Sequence, residues 1–75
     1  MEYLATFYTH YGAMRFYKHC QKQGITAKMM PVPRTLSASC GVCVRVWADA
    51  SPEPAEHEDM ECIYAVMADG TYVTA

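Results

Sequence analysis

Cys40, at the end of a rigid loop, is the residue in this chain best suited to chemistry. The segment before it contains Pro31 and Pro33 and then small polar residues, and Gly41 follows it directly. Prolines fix φ and remove backbone donors, which predicts an extended, preshaped loop. A thiolate presented there suits nucleophilic sulfur chemistry. The alternative is a buried packing residue, because free cysteine is among the most buried residue types.

Cys40 and Cys43 have the CxxC spacing that serves disulfide exchange or metal binding. A thioredoxin-type motif opens a helix, however, whereas this motif leads into a predicted strand. A structural zinc site needs two further ligands, and the chain has no second CxxC. Cys20 and Cys62 are both expected to be packing residues. We therefore expect no metal site and no cofactor, and Cys43 remains a candidate resolving thiol.

Hydrophobic periodicity predicts the elements that must position Cys40. Ala13, Phe16, Tyr17 and Cys20 form one apolar helical stripe, with Thr9 as N-cap. Valines alternate with Cys43, Arg45 and Trp47 in the strand after the loop, so the valine face is expected to be buried. The predicted elements are a strand over 2–8, a helix over 10–23, strands over 25–30, 41–47 and 62–67, and a short strand over 71–74 after a two-residue Asp69-Gly70 turn.

This order predicts an α+β fold, a truncated ferredoxin-like β-α-β-β-β(-β) sheet with one main helix, in a single domain over 1–75. The second helix is reduced or absent, because residues 49–61 contain two prolines and many acids. We expect a loop there, or at most one helical turn near 54–59. One helix cannot cover a sheet of four or five strands, so the chain is expected to form a homodimer.

The topology also predicts the surroundings of Cys40. The first two strands run in the same direction, so the loop emerges at the end of the sheet where the helix begins. Cys40 should lie near Thr9 and His10, where a helix N-terminus favours an anion. His10 would accept a proton or act as a cationic neighbour, and Arg34 would pair with a charged substrate group. Ser39 and Gly41 flank the thiol and complete the predicted binding site.

Charge and composition limit the classes of partner that the protein is expected to bind. The net charge is −2, but residues 1–48 contain all six Lys and Arg and a single acid, whereas residues 49–75 contain seven acids and no Lys or Arg. The basic residues accompany no nucleic-acid motif, so we expect no nucleic-acid partner. The first residues lack the pattern of a signal peptide, and no apolar run approaches the length of a membrane span. We expect no membrane association and a cytoplasmic protein.

Several segments resemble one known family. They are Thr6-Phe7-Tyr8-Thr9-His10, Ala13-Met14, Gly24-Ile25, Pro31-Val32-Pro33-Arg34 and Ser37-Ala38-Ser39-Cys40-Gly41. Together they resemble the small bacterial proteins described as putative selenium/sulfur carrier protein-like, over roughly residues 3–47. The resemblance implies a compact α+β domain in which the sulfur of Cys40 holds the transferred atom. The shortened region between the third and fourth strands and the presence of Cys43 depart from the family pattern.

Three functions remain open at this point. The leading one is a sulfur or selenium carrier that holds the atom on Cys40 as a persulfide or selenopersulfide, between donor and acceptor proteins. Such a protein is a carrier rather than a turnover enzyme. The second is a non-catalytic dimeric binding or regulatory module, and the third is a thiol-disulfide redox protein that uses Cys40 and Cys43.

Overall fold

A five-stranded antiparallel sheet with one helix forms the fold. The computed structural model describes residues 1–53 and 57–75. The turn predicted near 54–59 therefore lies partly outside the described residues. The elements are β1 (Glu2–Phe7), α1 (His10–Lys22), β2 (Thr26–Pro31), β3 (Val42–Trp47), β4 (Met60–Val66) and β5 (Tyr72–Thr74).

The sheet has the strand order β2-β3-β1-β4-β5, with every neighbouring pair antiparallel. β1 and β2 run in the same direction with β3 between them, as the β-α-β connection predicted. The first four strands thus have the ferredoxin-like order, and β5 extends the sheet beyond β4. No second helix exists in the described ranges, so the prediction of an α+β fold with a single main helix is confirmed.

Local sequence signals set both ends of α1. The Thr9 hydroxyl accepts a hydrogen bond from the Gly12 amide at 3.0 Å, which confirms Thr9 as the N-cap. Gly24 follows the helix with φ of +72°, a conformation that glycine adopts without steric cost. The Ile25 amide donates to the Cys20 carbonyl at 2.9 Å and so satisfies one of the last helical acceptors.

The core lies between α1 and one face of the sheet. Phe16 and Cys20 of the helix pack against apolar side chains of the three central strands. Val44 and Val46 are fully buried there, as the alternation predicted. Cys43, on the other face of β3, is also fully buried, so burial of that strand is not confined to the valine face.

Most boundaries lie within one residue of the sequence-based expectations, and the larger differences are at the start of β4 and in the last turn. β4 begins at Met60 rather than at 62, because the Met60 side chain joins the core and pairs in register with Phe7. The last turn has three residues, 68–70, rather than two. The Gly70 amide donates to the Met67 carbonyl, the Met67 amide donates to Thr71, and Gly70 has φ of +86°.

No helix in the described part of the chain is long and apolar enough to cross a membrane.

Candidate functional site

The loop that carries Cys40 connects β2 to β3 and is fixed at two places. At its base, the Val32 amide donates to the Gly41 carbonyl at 3.1 Å. Near its end, Glu61 of β4 accepts two hydrogen bonds from Ser39, one from the amide at 3.0 Å and one from the hydroxyl at 3.1 Å. Hydrogen bonds to an ionised acceptor are stronger than neutral ones. The residue immediately before Cys40 is therefore anchored to β4, which β1 separates from β3 in the sheet.

The Cys40 thiol is half-buried and is followed by an exposed glycine. Its side chain packs against the helix-side core, and Sγ donates to the Val42 carbonyl at 3.3 Å. A methyl group added at Gly41 would meet no atom within 4 Å other than those of its two chain neighbours. The residue after Cys40 therefore faces open space.

The helix N-terminus, at the same end of the sheet, already holds an anion of the chain itself. Thr9 donates its hydroxyl proton to Asp59 Oδ2 at 3.1 Å, and the Tyr8 amide donates to the Asp59 carbonyl at 2.9 Å. A methyl group at Gly12 would collide with the Asp59 side chain. The predicted anion position is therefore occupied by a carboxylate, and Thr9 is engaged with it rather than with Cys40.

His10 and Arg34 lie at this same end of the molecule, and both are exposed. His10 is the first residue of α1, and Arg34 lies in the loop between β2 and β3. Within the described ranges, neither side chain forms a hydrogen bond or ion pair. The structure thus brings the two cationic candidates to the correct end without a direct contact to Cys40.

Cys43 differs from Cys40 in burial and in the direction of its side chain. Burial raises the pKa of the Cys43 thiol from 9.0 to about 11, an effect that Arg45 opposes and Cys40 reinforces. Its Sγ donates to the Pro31 carbonyl at 3.6 Å. Cys43 pairs in register with Thr6, which belongs to the sheet face away from α1, whereas Cys40 packs on the helix side. The two sulfurs of the CxxC therefore lie in different environments.

The other two cysteines, Cys20 and Cys62, lie in surroundings typical of packing residues. Cys20 is fully buried in the core, and burial raises the pKa of its thiol. Cys62 is half-buried opposite Thr6, and a hydrogen bond with Cys62 adds to the burial that raises the pKa of Tyr64. In the described ranges, no three His, Cys, Asp or Glu side chains are grouped to hold a metal ion.

Asp59 and Glu61 were not identified from the sequence, because both lie in a segment that reads as a solvated acidic loop. Gly12 leaves Thr9 without a capping-box partner, but no local pattern indicates that Asp59 accepts a hydrogen bond from the Thr9 hydroxyl. His57 lies in the same acidic segment. It packs edge-on against Phe16, with ring centroids 4.8 Å apart, and lines a surface pocket of about 330 Å³.

The fold and the site define a class of protein: a small α+β domain that presents one half-buried loop thiol between an anchored serine and an exposed glycine. The chain belongs to the family described as "Putative Se/S carrier protein-like", whose model matches residues 2–69 of the 75. The matched range includes Cys40, Ser39 and Glu61. No curated protein and no solved structure gives a significant match.

Proposed function

We propose that this protein is a sulfur or selenium carrier and that Cys40 holds the transferred atom as a persulfide or selenopersulfide. The observation that carries the proposal is the anchored position of this thiol. Ser39 is fixed to Glu61 immediately before it, and Gly41 leaves open space immediately after it. The family match supports the carrier class.

Burial and position in the fold together distinguish Cys40 from the other three thiols. Cys20 and Cys43 are fully buried, and burial raises the pKa of both, which suppresses the nucleophilic thiolate. Cys62 is half-buried but lies within a strand and is engaged with Tyr64. Cys40 is the half-buried thiol that lies in a loop rather than in a strand or helix.

The chemistry that this position supports is a thiolate exchange. On losing its proton, Cys40 also loses its hydrogen bond to the Val42 carbonyl, and the negative sulfur turns toward the space beside Gly41. It attacks the outer sulfur of a donor protein's persulfide, a new sulfur–sulfur bond forms, and the donor leaves as a thiolate. A selenium atom transfers in the same way.

Release follows the same exchange in reverse. An acceptor protein's thiolate attacks the outer atom, and Cys40 leaves as the thiolate. Arg34 is a cation at this end of the sheet that would balance the charge of the loaded site, and His10 would donate a hydrogen bond to it. A resolving role for Cys43 is disfavoured by its burial, by its pKa of about 11 and by its position on the opposite sheet face.

The test is to incubate the protein with a cysteine desulfurase and cysteine, and then to map modified thiols by intact-protein and peptide mass spectrometry. We expect an added sulfur on the Cys40 peptide, retained in Cys43→Ser and in the matched control Cys62→Ser, and lost in Cys40→Ser. A Cys40–Cys43 disulfide in place of a persulfide would support redox exchange instead. If Cys40 showed no selective reactivity, the carrier and redox functions would both be refuted, and the non-catalytic binding module would remain.

A homodimer formed through the sheet face away from α1 is part of this proposal. No described helix covers that face, which carries Trp47 with 41% of its surface exposed. Burying such an aromatic residue against a second copy is favourable. Light scattering at micromolar concentration should give the dimer mass and a lower mass for Trp47→Ser, whereas a monodisperse wild-type monomer would refute this part.

A further inference from the structure

The outer face of α1 carries an exposed stripe of apolar and basic residues that the carrier chemistry does not use. It is defined by Tyr11, Met14, Arg15, Lys18 and Lys22, at spacings that place them on one side of a helix. Tyr11 and Met14 are 64% and 39% exposed, respectively. All five residues are exposed, opposite the buried stripe that faces the sheet.

All the charged residues of this stripe are basic. No residue of α1 is acidic, and three of the six Lys and Arg of the chain lie on the stripe. Arg15 lies over the Tyr11 ring, 5.7 Å from its centroid, which holds the aromatic and the cation together. Within the described ranges, none of the three cations forms an ion pair.

The stripe begins next to the thiol end of the molecule. α1 starts at the end of β1, and the Cys40 loop leaves β2 at that same end of the sheet, since β1 and β2 run in the same direction. Tyr11 is therefore at the thiol end, and Lys22 lies about 16 Å farther along the helix axis. A protein lying along this stripe would have its own reactive group near Cys40.

From this arrangement we infer that the α1 stripe is the docking surface for the protein that loads Cys40, and that this partner carries an acidic patch beside an apolar contact. The inference rests on the proposed carrier function. Tyr, Met and Arg are enriched in protein interfaces, and complementary charge steers association. A protein fits better than a nucleic acid, because the apolar residues lie nearest the thiol and the chain has a pI of about 5.8.

The test compares two routes of loading Cys40 in the full-length protein. One donor is a cysteine desulfurase from the source organism with cysteine, and the other is inorganic polysulfide, which needs no docking surface. The variants are Lys18→Glu, Arg15→Glu and Tyr11→Ser, and the charge-matched control is the double variant Met67→Glu/Val73→Glu, at two exposed positions at the β5 edge of the sheet. The second-order rate of persulfide formation on Cys40 is measured at several salt concentrations.

We expect desulfurase loading to fall about tenfold in the two charge-reversal variants at low salt, with the difference shrinking as salt rises. Tyr11→Ser should slow loading at every salt concentration. Polysulfide loading should be equal in all variants, and Met67→Glu/Val73→Glu should match the wild type with both donors.

Equal desulfurase rates in Lys18→Glu and the wild type would overturn the docking surface while leaving the carrier intact. An equal slowing by Met67→Glu/Val73→Glu would also overturn it, because net charge alone would then explain the effect. Loading by polysulfide without loading by the desulfurase would refute docking of this donor. Failure of both donors to modify Cys40 in the wild type would instead refute the carrier function.

Discussion

Ser39 is bound to Glu61 by two hydrogen bonds that reach across 22 positions of the chain, from the loop between β2 and β3 to β4. Both donors belong to Ser39, and each uses a different carboxylate oxygen. This pairing determines where the chain turns toward Cys40. The position of the thiol therefore depends on a side chain of β4 as well as on the rigidity of the prolines at the start of the loop.

Replacing Glu61 should loosen the Cys40 loop with little cost to global stability. Glu61→Ala removes both acceptors, but the bonds are exposed, so we expect a loss of about 1 kcal/mol or less in the free energy of unfolding. Hydrogen exchange at the Ser39 amide should become faster, and persulfide formation on Cys40 should become slower. The control is Glu53→Ala, an exposed acid of the same segment. Unchanged exchange at Ser39 in Glu61→Ala would show that the loop holds its shape without this anchor.

A side chain at Gly12 should destabilise the fold even though alanine is the better helix former. Gly12→Ala gains up to about 1 kcal/mol in helix propensity, but the added methyl collides with Asp59 and should cost about 1–3 kcal/mol. The matched control is Gly41→Ala, whose methyl would enter open space and should leave stability within about 0.5 kcal/mol of the wild type. Chemical denaturation measures both. An increase in stability for Gly12→Ala would contradict the packing of Asp59 on the first turn of α1.

Cys43 should make the folded state less stable in alkaline solution. Its thiol ionises near pH 9.0 when unfolded but near 11 when folded, so the unfolded chain binds fewer protons in this window. The contribution of the protonated Cys43 thiol to the free energy of unfolding is fully present below pH 9. It falls by on the order of 2 kcal/mol as the pH rises to about 11. Denaturation at several pH values should show a shallower fall in Cys43→Ser than in the wild type. Identical slopes in the two proteins would show that Cys43 is not held protonated by burial.

The fold was largely predictable from the sequence because its signals are local. The alternation in β3, the apolar stripe of α1, the cap at Thr9 and the stop at Gly24 each depend on neighbouring residues. The start of β4 was missed because Met60 follows an acidic run and joins the core only through pairing with Phe7. No local sequence pattern indicates a contact between residues that are distant in the chain.

The same distinction explains the site. Cys40 and its loop follow from residue types and spacing, and strand direction correctly places the loop at the helix N-terminus. The helix N-terminus was expected to stabilise an anion at Cys40. Its cap residue Thr9 instead donates a hydrogen bond to Asp59, 50 positions away in the chain. The Glu61 anchor and the burial of Cys43 likewise depend on tertiary structure, which the CxxC spacing does not reveal.

Cold cyanolysis of the loaded protein tests the carrier role of Cys40 most directly. Cyanide removes the outer sulfur of a persulfide as thiocyanate and leaves the cysteine as a thiolate, so it counts transferable sulfur and ignores disulfides. After treatment with the desulfurase and removal of that enzyme, the wild type and Cys43→Ser should give stoichiometric thiocyanate, and Cys40→Ser should give none. Thiocyanate from Cys40→Ser at the wild-type level would show that another thiol carries the sulfur and would contradict the account.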